Sequence, residues 1–358
     1  MKKVKDTLKK MGEKSNSGIK KAGLELAKEK MTKEGYGMVG DHSAVKVCLW
    51  TKHSIRGDRG CWKEKFYGIS SAGCCQMTPS LFHCENKCLH CWRDLTYTFN
   101  KSIENPDDPK KILDGIVAVR KDLLMGFKGR EGIDMKKFEE ALEPKLYTLS
   151  LSGEPTLYPR LGEMFAEIRK RGAVSFLVTN GLNPEVIRNL STLPTQITVS
   201  TNAPNEKLFL KWHRSTKKEA WNVFNETLDV IRGLGRAPSG IPSEEGKVRR
   251  VIRLTLVDKG KEGKFKDMTN MTEENVGEYC DLIRKAEPDF VHVKGYKSVG
   301  YARPRMGYDN QPWFEAVKEY ALKIEKKLED YEVAAEDERC CVVMLKRKGG
   351  IDLKIDKV

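Results

Sequence analysis

The sequence predicts an α/β fold, a partial (β/α)6 TIM-like barrel preceded by a cysteine-bearing N-terminal segment. From about residue 76 onward, short apolar runs of strand character alternate with amphipathic runs at helical spacing, which gives six βα units. Repeated βα units build parallel strands joined by right-handed crossovers. Six units are too few to close an eight-stranded barrel, and polar motifs follow several strand-like runs, at the end of a barrel that carries active sites.

The predicted elements follow one another in a regular order. The strand-like runs are 76–81, 146–151, 174–179, 196–200, 251–257 and 290–293. The helical runs are 112–124, which follows a proline signal at 106–109, then 159–171, 183–191, 216–234, 272–286 and 310–330. Surface loops are predicted at 235–247 and 259–270.

This order suggests four parts of the chain. We expect a basic N-terminal extension (1–40), a segment that leads into the first strand (41–82), the partial barrel (83–330), and a C-terminal strand with a basic tail (331–358). The Lys-rich extension fits either a loosely held arm that touches RNA or a solvated tail.

Composition limits the function classes. Hydrophobic residues make up 39% of the 358 residues, and no apolar run approaches the ~20 residues that a membrane span needs. The 65 Lys and Arg exceed the 51 Asp and Glu, giving a net charge of +14, which favours a polyanion such as nucleic acid over a merely solvated basic surface. Ten cysteines without a signal peptide indicate a reducing, cytoplasmic location, where clustered thiols more often hold metal than form disulfides.

The first triad of cysteines, Cys84, Cys88 and Cys91, has CxxxCxxC spacing. Three thiolates can hold three irons of a four-iron, four-sulfur cluster and leave the fourth iron open for S-adenosylmethionine. A reduced cluster at such a site can release a 5′-deoxyadenosyl radical from that cofactor. The alternative of a structural zinc site is disfavoured because no second CxxC or Cys/His pair lies close by.

A second triad, Cys48, Cys61 and Cys74, precedes the first. Three ligands fit a second four-iron, four-sulfur cluster with an open iron. A zinc ion would instead require a fourth ligand, for which Cys75 or His53 is available. Lys63 lies two residues after Cys61, where a metal centre and aromatic neighbours could lower its pKa enough for attack on a carbonyl. Cys280, Cys340 and Cys341 are expected to be buried structural thiols.

Polar motifs at the ends of successive strand-like runs predict the cofactor site. Gly153 allows close backbone approach, and Glu154 can accept hydrogen bonds from the ammonium of a cofactor. The other candidates at these strand ends are Thr179, Asn180, Ser200 and Asn202. A further strand end carries the run Lys294-Gly295-Tyr296. Their shared position favours a site over a set of unrelated turns.

From about residue 45 to 347 the chain resembles radical-SAM enzymes of the tRNA 4-demethylwyosine synthase family. The resemblance depends on the two triads, on segments 61–63, 66–69, 91–93 and 152–156, and on 253–257, 293–296 and 299–301. Departures occur at Asn202, where the family tends to have an aspartate, and at His213-Arg214-Ser215, which replaces an Asp-Arg-Pro pattern. Because no flavin-binding domain precedes residue 45, the chain is similar to the short, archaeal-type form.

The resemblance implies a lyase of wybutosine biosynthesis that condenses pyruvate with N1-methylguanosine beside the anticodon of tRNA-Phe. The radical would remove hydrogen from the N1-methyl group, and pyruvate would be held at the open iron of the second cluster or as a Schiff base with a lysine, matched here by Lys63 rather than Lys65. We expect an external one-electron donor, no membrane association and a monomer.

Two rival readings remain. One is another two-cluster radical-SAM RNA modifier, such as a sulfur-inserting enzyme, and the other is a non-catalytic zinc protein that binds tRNA. If the chain is a tRNA-modifying enzyme, we expect RNA to bind electrostatically across the barrel mouth, with parts of the basic N-terminal extension. The expected cations are Arg93, Lys211, Arg214, Lys297 and Arg303, and the aromatic residues expected to stack on the base are Trp92, Trp212 or Tyr301.

Overall fold

The structure is a computed structural model that describes residues 24–235, 248–262 and 264–355. Its helices are α1 (24–33), α2 (Leu49–Ile55), α3 (Trp62–Tyr67), α4 (Pro109–Met125), α5 (Met135–Leu142), α6 (Leu161–Lys170), α7 (Pro184–Arg188), α8 (Glu206–His213), α9 (Ala220–Gly233), α10 (Glu273–Ala286), α11 (Ala302–Met306) and α12 (Phe314–Lys327). Its strands are β1 (Tyr36–Val39), β2 (Ser43–Lys46), β3 (Cys74–Thr78), β4 (Leu146–Leu149), β5 (Val174–Thr179), β6 (Gln196–Ser200), β7 (Arg249–Leu256), β8 (Phe290–Gly295), β9 (Tyr331–Asp337) and β10 (Val342–Arg347).

The ten strands form one sheet in the order β1-β2-β3-β4-β5-β6-β7-β8-β10-β9. The six central strands, β3 to β8, are parallel, and an antiparallel pair extends the sheet at each edge. The α/β fold with six parallel strands is therefore confirmed. Crossover helices join the parallel strands, as such a sheet requires.

Local sequence explains where the crossover helices begin. The Asp108 carboxylate accepts hydrogen bonds from the N–H groups of Lys110 and Lys111, and Pro109 occupies the first position of α4. Both features suit a helix N-terminus, where the first N–H groups lack partners within the helix. Thr272 caps α10 in the same way through Asn275.

The two faces of the parallel strands bury different apolar sets. Cys75, Tyr147 and Leu177 belong to the larger core beneath the helices. Alternate residues on the same strands, such as Cys74 and Phe176, belong to a second core on the other face. Period-two alternation of strand side chains produces this division.

Two segments cover the second core. Phe66 and Tyr67 of α3 are fully buried in it, and Ile351, Leu353 and Ile355 of the C-terminal segment pack on it. Ile355 N–H donates to the Tyr67 carbonyl at 3.0 Å, and Arg249 donates to two carbonyls of the same segment, those of Asp352 and Leu353. The segment predicted as a basic tail thus also carries apolar side chains that cover one face of the sheet.

Other sequence predictions differ from the structure at the edges. Residues 1–23 lie outside the described part, but residues 24–40 form α1 and β1, and β1 pairs with β2, so the expected boundary at 40 divides a hairpin. Segment 41–82 contains β2, α2 and α3 before β3. The C-terminal part forms two strands rather than one because β9 and β10 pair as a hairpin. No helix in the described ranges combines the length and the apolar character needed to cross a membrane.

Candidate active site

The first triad lies in one cavity of about 200 Å³ at the C-terminal ends of the parallel strands. Six of the strand-end candidates share this cavity with it: Gly153, Glu154, Thr179, Asn180, Ser200 and Asn202. The run Lys294-Gly295-Tyr296, at the end of β8, does not line it. The structure therefore brings together residues that are separated by more than a hundred positions in sequence. His213, where the chain departs from the family pattern, also lines the cavity, as do three residues that were not expected there: His90, Arg253 and Thr255.

The cluster loop, residues 84–93, is fixed to the barrel mainly through its backbone. Lys87 N–H and Leu89 N–H donate to the carbonyls of His213 and Trp212, at 2.9 and 3.0 Å. The Arg305 guanidinium donates to the carbonyls of Cys88 at 2.8 Å and Arg93 at 3.0 Å, and also to that of Cys91. One cation thus satisfies three carbonyls of a loop that has no regular secondary structure to pair them.

Gly153 is required where the chain passes closest to the cluster loop. Its φ is +72°, and a Cβ atom here would lie 1.8 Å from the Ser80 carbonyl oxygen and 2.9 Å from that of His83. Neither backbone atom can move without displacing the loop. The next residue, Glu154, donates its N–H to the His83 carbonyl at 2.7 Å. A residue with a side chain at position 153 would therefore separate the loop from β4.

Glu154 connects neighbouring strand ends. Its carboxylate accepts from Thr156 N–H at 3.1 Å, from the hydroxyls of Thr156 and Thr179 at 2.7 Å each, and from Asn180 N–H at 2.7 Å. Burial, together with the nearby Glu85 carboxylate, raises the pKa of Glu154 to about 7. Since four protein donors already occupy the carboxylate, its principal contacts are with the protein rather than with a cofactor ammonium.

Polar atoms without partners lie on the opposite wall of the cavity. Asn202 Oδ1 and Arg253 Nε are buried and lack hydrogen-bond partners in the described structure, although Arg253 also donates to the Ser200 hydroxyl at 2.7 Å. Burial lowers the pKa of Arg253 to about 10, so the guanidinium remains charged at neutral pH. A buried cation and an open amide oxygen suit a zwitterionic ligand with a carboxylate and an amine.

The first triad has the properties of cluster ligands. Burial raises the pKa of Cys84 to about 12, with the Arg93 cation opposing this rise, and burial also raises the pKa of Cys88 well above its usual value. The thiols of Cys84 and Cys88 therefore remain protonated until a metal displaces the protons. Three thiols beside an open cavity fit a four-iron cluster that leaves one iron accessible.

The second triad surrounds Lys63. Cys48, Cys61 and Cys74 line one cavity of about 20 Å³ together with this lysine. Cys48 and Cys61 immediately precede α2 and α3, and Cys74 begins β3. Lys63 Nζ donates to Cys74 Sγ at 3.3 Å and so occupies space between the thiols. A cluster would fit here only if the Lys63 side chain moved aside. No three His, Cys, Asp or Glu side chains of the described residues converge as they would around a single metal ion.

In the cluster-free chain the pKa of Lys63 is raised, and the lowering expected beside a metal centre stays a prediction. Burial lowers this pKa, but the anionic forms of Cys74, Cys61 and Cys48 outweigh burial and hold it above its ordinary value. Iron bound to these sulfurs would remove that cause, because their charge would be shared with the metal. Lys65 is exposed and donates to the Glu336 carbonyl at 2.7 Å, away from the cavity.

Cys75, Cys340 and Cys341 are all buried, as expected for Cys340 and Cys341. Cys75 packs in the larger core on the other face of β3 from Cys74, and His53 contacts Asp58, so neither completes the second triad. Cys340 lies near the segment that bears the second triad, because the Arg59 guanidinium, two residues before Cys61, reaches Cys340 Sγ at 3.8 Å. No sequence signal indicates this contact, since 281 positions separate Arg59 from Cys340.

Some of the side chains expected to contact RNA are buried, and other aromatic side chains are exposed beside cations. Arg93 is buried and donates to the Asn86 carbonyl at 2.9 Å, and Trp212 is 1% exposed, so both are structural. Lys211, Arg214 and Arg303 are exposed. Two aromatic residues that the sequence analysis did not select are strongly exposed beside cations: Trp313, 74% exposed, near Lys297, and Tyr308, 58% exposed, near Arg303.

Two family models match the chain. Residues 79–243 match the radical SAM superfamily, and residues 285–347 match a family described as wyosine base formation. The first match contains the first triad and most of its cavity, and the second contains β8 to β10.

Similar proteins extend over nearly the whole chain. S-adenosyl-L-methionine-dependent tRNA 4-demethylwyosine synthases of Pyrococcus abyssi and Pyrococcus horikoshii are 39% and 38% identical, covering 88% and 89% of this chain and 86% and 88% of theirs. The mouse enzyme is 36% identical over 95% of this chain but 44% of its own length. Among solved structures, TYW1 with a lysine-pyruvate adduct bound matches with a TM-score of 0.76 and 29% identity, covering 91% of this chain and 97% of that one. Archaeal TYW1 matches with a TM-score of 0.68 and 28% identity, covering 91% and 98%.

Proposed function

The chain belongs to the family of S-adenosylmethionine-dependent tRNA 4-demethylwyosine synthases, and we propose that it condenses pyruvate with N1-methylguanosine beside the anticodon of tRNA-Phe. It is a radical-SAM enzyme that modifies tRNA and uses S-adenosylmethionine and a four-iron, four-sulfur cluster. The proposed additions are the second cluster, pyruvate as the carbon donor, an external one-electron donor, activity as a monomer, and the roles of individual residues.

The relative position of the two cavities carries this proposal. The cavity of the second triad includes Cys74 and Leu146, at the beginnings of β3 and β4, and the cavity of the first triad includes Ser150, just after β4. At ~3.3 Å per residue, Leu146 and Ser150 are about 13 Å apart along the strand. A small keto acid at the second triad and a purine base at the first cavity would therefore lie in the same barrel, about one strand length apart.

In the first cavity, the chain holds and orients the cofactors. Cys84, Cys88 and Cys91 would ligate the cluster, and when it and S-adenosylmethionine are bound they supply a 5′-deoxyadenosyl radical. Arg253 and Asn202 offer a cation and an amide oxygen to the cofactor's carboxylate and amine. The hydrogen bonds of Glu154 hold the loops that follow β4 and β5 together beside the cofactor.

In the second cavity, Lys63 is the substrate-handling residue. Its ammonium can pair with the carboxylate of pyruvate, or its neutral amine can form a Schiff base with the keto group. The position of Lys63 between the three thiols restricts either contact to a molecule bound at the second triad. A relative of known structure carries a lysine-pyruvate adduct, which supports the covalent form.

We propose that tRNA binds across the barrel mouth, where exposed cations accompany the exposed rings of Trp313 and Tyr308. Cations neutralise phosphates, and exposed rings can stack on bases that have left the anticodon stack. The target base must leave its stack to reach the radical, as other base-modifying enzymes require.

Mass spectrometry of nucleosides tests the proposal. The reconstituted chain is incubated anaerobically with N1-methylguanosine-containing tRNA-Phe, pyruvate, S-adenosylmethionine and dithionite, and 4-demethylwyosine is the expected product. About eight irons per chain are expected from two four-iron clusters. A sulfur-containing nucleoside would instead support the sulfur-inserting alternative, and one or two zinc ions without iron would support the non-catalytic one.

Lys63→Ala, with Lys65→Ala as its matched control, tests the role of the lysine. We expect Lys63→Ala to lose product while 5′-deoxyadenosine still forms, and Lys65→Ala to retain product because its side chain points away from the cavity. Borohydride with labelled pyruvate should trap an adduct at Lys63 if a Schiff base forms. Near-normal product from Lys63→Ala would remove the lysine from the mechanism.

A further inference from the structure

Lys294 places a cation without an anionic partner inside the barrel. It lies near the end of β8, in one of the strand-end motifs, and lines neither cavity. The residue is half-buried, and in the described part of the chain its ammonium makes no hydrogen bond and no ion pair. Its Nζ lies 5.6 Å from the centre of the Trp62 ring. A cation that is partly removed from water, with a ring beside it, is suited to pair with an anion.

The alternation of side chains along β8 directs Lys294 to the inner face of the sheet. Val293 packs in the larger core beneath the helices, whereas Phe290 packs in the second core. The His292 ring contacts the Trp62 ring, with 4.8 Å between their centres. Because strand side chains alternate with a period of two, Lys294 shares the face of Phe290 and His292.

The strand register brings Lys294 next to both cavities. In the pairing of β7 with β8, Lys294 is aligned with Thr255, which lines the first cavity. Aligned residues of neighbouring strands point to the same face of a sheet. Trp62, the other neighbour, stands in sequence between Cys61 and Lys63, which both line the second cavity. Lys294 therefore adjoins a wall of the first cavity and the segment that forms the second.

We propose that Lys294 binds the carboxylate of pyruvate while Lys63 handles the keto group. This inference rests on the proposed function, since it takes pyruvate as the substrate. It assigns the carboxylate to a second lysine and so leaves the amine of Lys63 for the Schiff base. The two lysines then fix both ends of the bond between the carboxyl and keto carbons.

The size and charge of the second cavity support this division. A cavity of about 20 Å³ holds one water molecule, so pyruvate extends beyond it. No Asp or Glu of the described residues lines this cavity, and the first cavity adds the Arg253 cation. Lys63 and Lys294 each carry their charge on a flexible four-carbon stem that can follow a small ligand. A carboxylate beside them gains charge-assisted hydrogen bonds.

Equilibrium dialysis of the reconstituted chain against labelled pyruvate and labelled pyruvamide tests the proposal. Pyruvamide retains the keto group but lacks the charge. Because hydrogen bonds between charged groups are stronger, the wild-type chain should bind pyruvate about 10- to 100-fold more tightly than pyruvamide. Lys294→Met should lose this preference by weakening pyruvate alone, and Lys294→Arg should retain most of it. Equal affinity of the wild-type chain for both ligands would overturn the proposal, even if Lys294→Met failed to fold.

Two further variants separate the roles of the lysines. Lys63→Ala should weaken both ligands and preserve the preference for pyruvate, because the Lys294 ammonium remains. Lys318→Met is the matched control, since Lys318 also places its ammonium above a ring, 5.9 Å from the centre of Phe314 in α12, and it should change neither affinity. A preference that is lost in Lys63→Ala and kept in Lys294→Met would assign the carboxylate to Lys63 instead. Equal weakening of both ligands in Lys294→Met would reduce Lys294 to a support for Trp62.

The dialysis assay distinguishes failure of this inference from failure of the proposed function. It requires neither tRNA nor S-adenosylmethionine, and it does not measure product. Formation of 4-demethylwyosine by the wild-type chain, together with unchanged pyruvate affinity in Lys294→Met, would refute the inference alone. A wild-type chain that binds no pyruvate would refute both the inference and pyruvate as the carbon donor.

Discussion

Replacing Arg305 with methionine should loosen the cluster loop without removing any cluster ligand. Arg305 lies in α11, and its side chain extends to the cluster loop, where it donates to the carbonyls of Cys88, Cys91 and Arg93. Methionine retains much of the apolar side chain but cannot donate. The three carbonyls would then depend on water, and the loop would lose its only guanidinium contact from α11 in the described structure.

The magnitude follows from the number of bonds and their exposure. Hydrogen bonds to a charged group contribute about 1.5–3 kcal/mol each. Because Arg305 is only half-buried, water replaces part of each bond, and we take about 1 kcal/mol for each carbonyl. The free energy of opening the loop should therefore fall by about 2–3 kcal/mol, which corresponds to an opening equilibrium about 30- to 150-fold larger.

Hydrogen exchange of the cluster-free chain measures this change. Lys87 N–H and Leu89 N–H are bonded to carbonyls of α8, so they exchange only when the loop separates from the barrel. The matched control is Arg303→Met on the same helix, because Arg303 is exposed and donates to the Ser298 carbonyl instead. Equal protection of the two amides in both variants would refute the reasoning.

Other substitutions test the remaining assignments. Cys88→Ala should abolish formation of 5′-deoxyadenosine. Cys280→Ala should preserve it, because Cys280 is a buried thiol outside both cavities. Cofactor cleavage retained by Cys88→Ala would contradict the ligand assignment. Alanine at all three positions of the second triad should leave about half the iron and no product, and full iron content would point to other ligands. The pKa of Glu154 is raised to about 7 from its ordinary 4.5, so its contribution to stability is complete below pH 4.5 and is lost as pH rises through 7. Relative to the wild-type chain, Glu154→Gln should therefore gain up to about 3 kcal/mol of unfolding free energy between these pH values, as measured by denaturant unfolding. A difference in unfolding free energy that does not change with pH would exclude this cause. Affinity for tRNA should fall steeply with salt because bound phosphates release counterions, and filter binding that is indifferent to salt would argue against the mouth as the RNA surface.

Local patterns in the sequence were sufficient for the central architecture. The spacing of apolar residues predicted β5 and β6 at their observed bounds and the four other parallel strands within a few residues. This succeeded because βα units are encoded by short-range periodicity and joined by a fixed handedness. The strand-end position of Gly153 and Glu154 followed from the same plan, since parallel strands end at one edge.

The edges of the sheet were less predictable. The hairpin of β1 and β2 and that of β9 and β10 consist of short strands whose partners are decided by the ends of the parallel sheet. The exposed or buried state of large side chains was also undetermined. Trp212 is buried and Trp313 is exposed because α8 packs inward while Trp313 precedes α12 at the surface.

By itself, the sequence determined the two cysteine triads, the lysine beside one of them, and the order of strands and helices between which they lie. Each of these is a matter of spacing along a few dozen residues. The tertiary structure alone decided that Arg305 satisfies the carbonyls of the cluster loop and that Arg59 pairs with Asp337 of β9. These contacts join residues more than 200 positions apart, and they exist only because the fold brings the last strands and loops next to segments near its beginning.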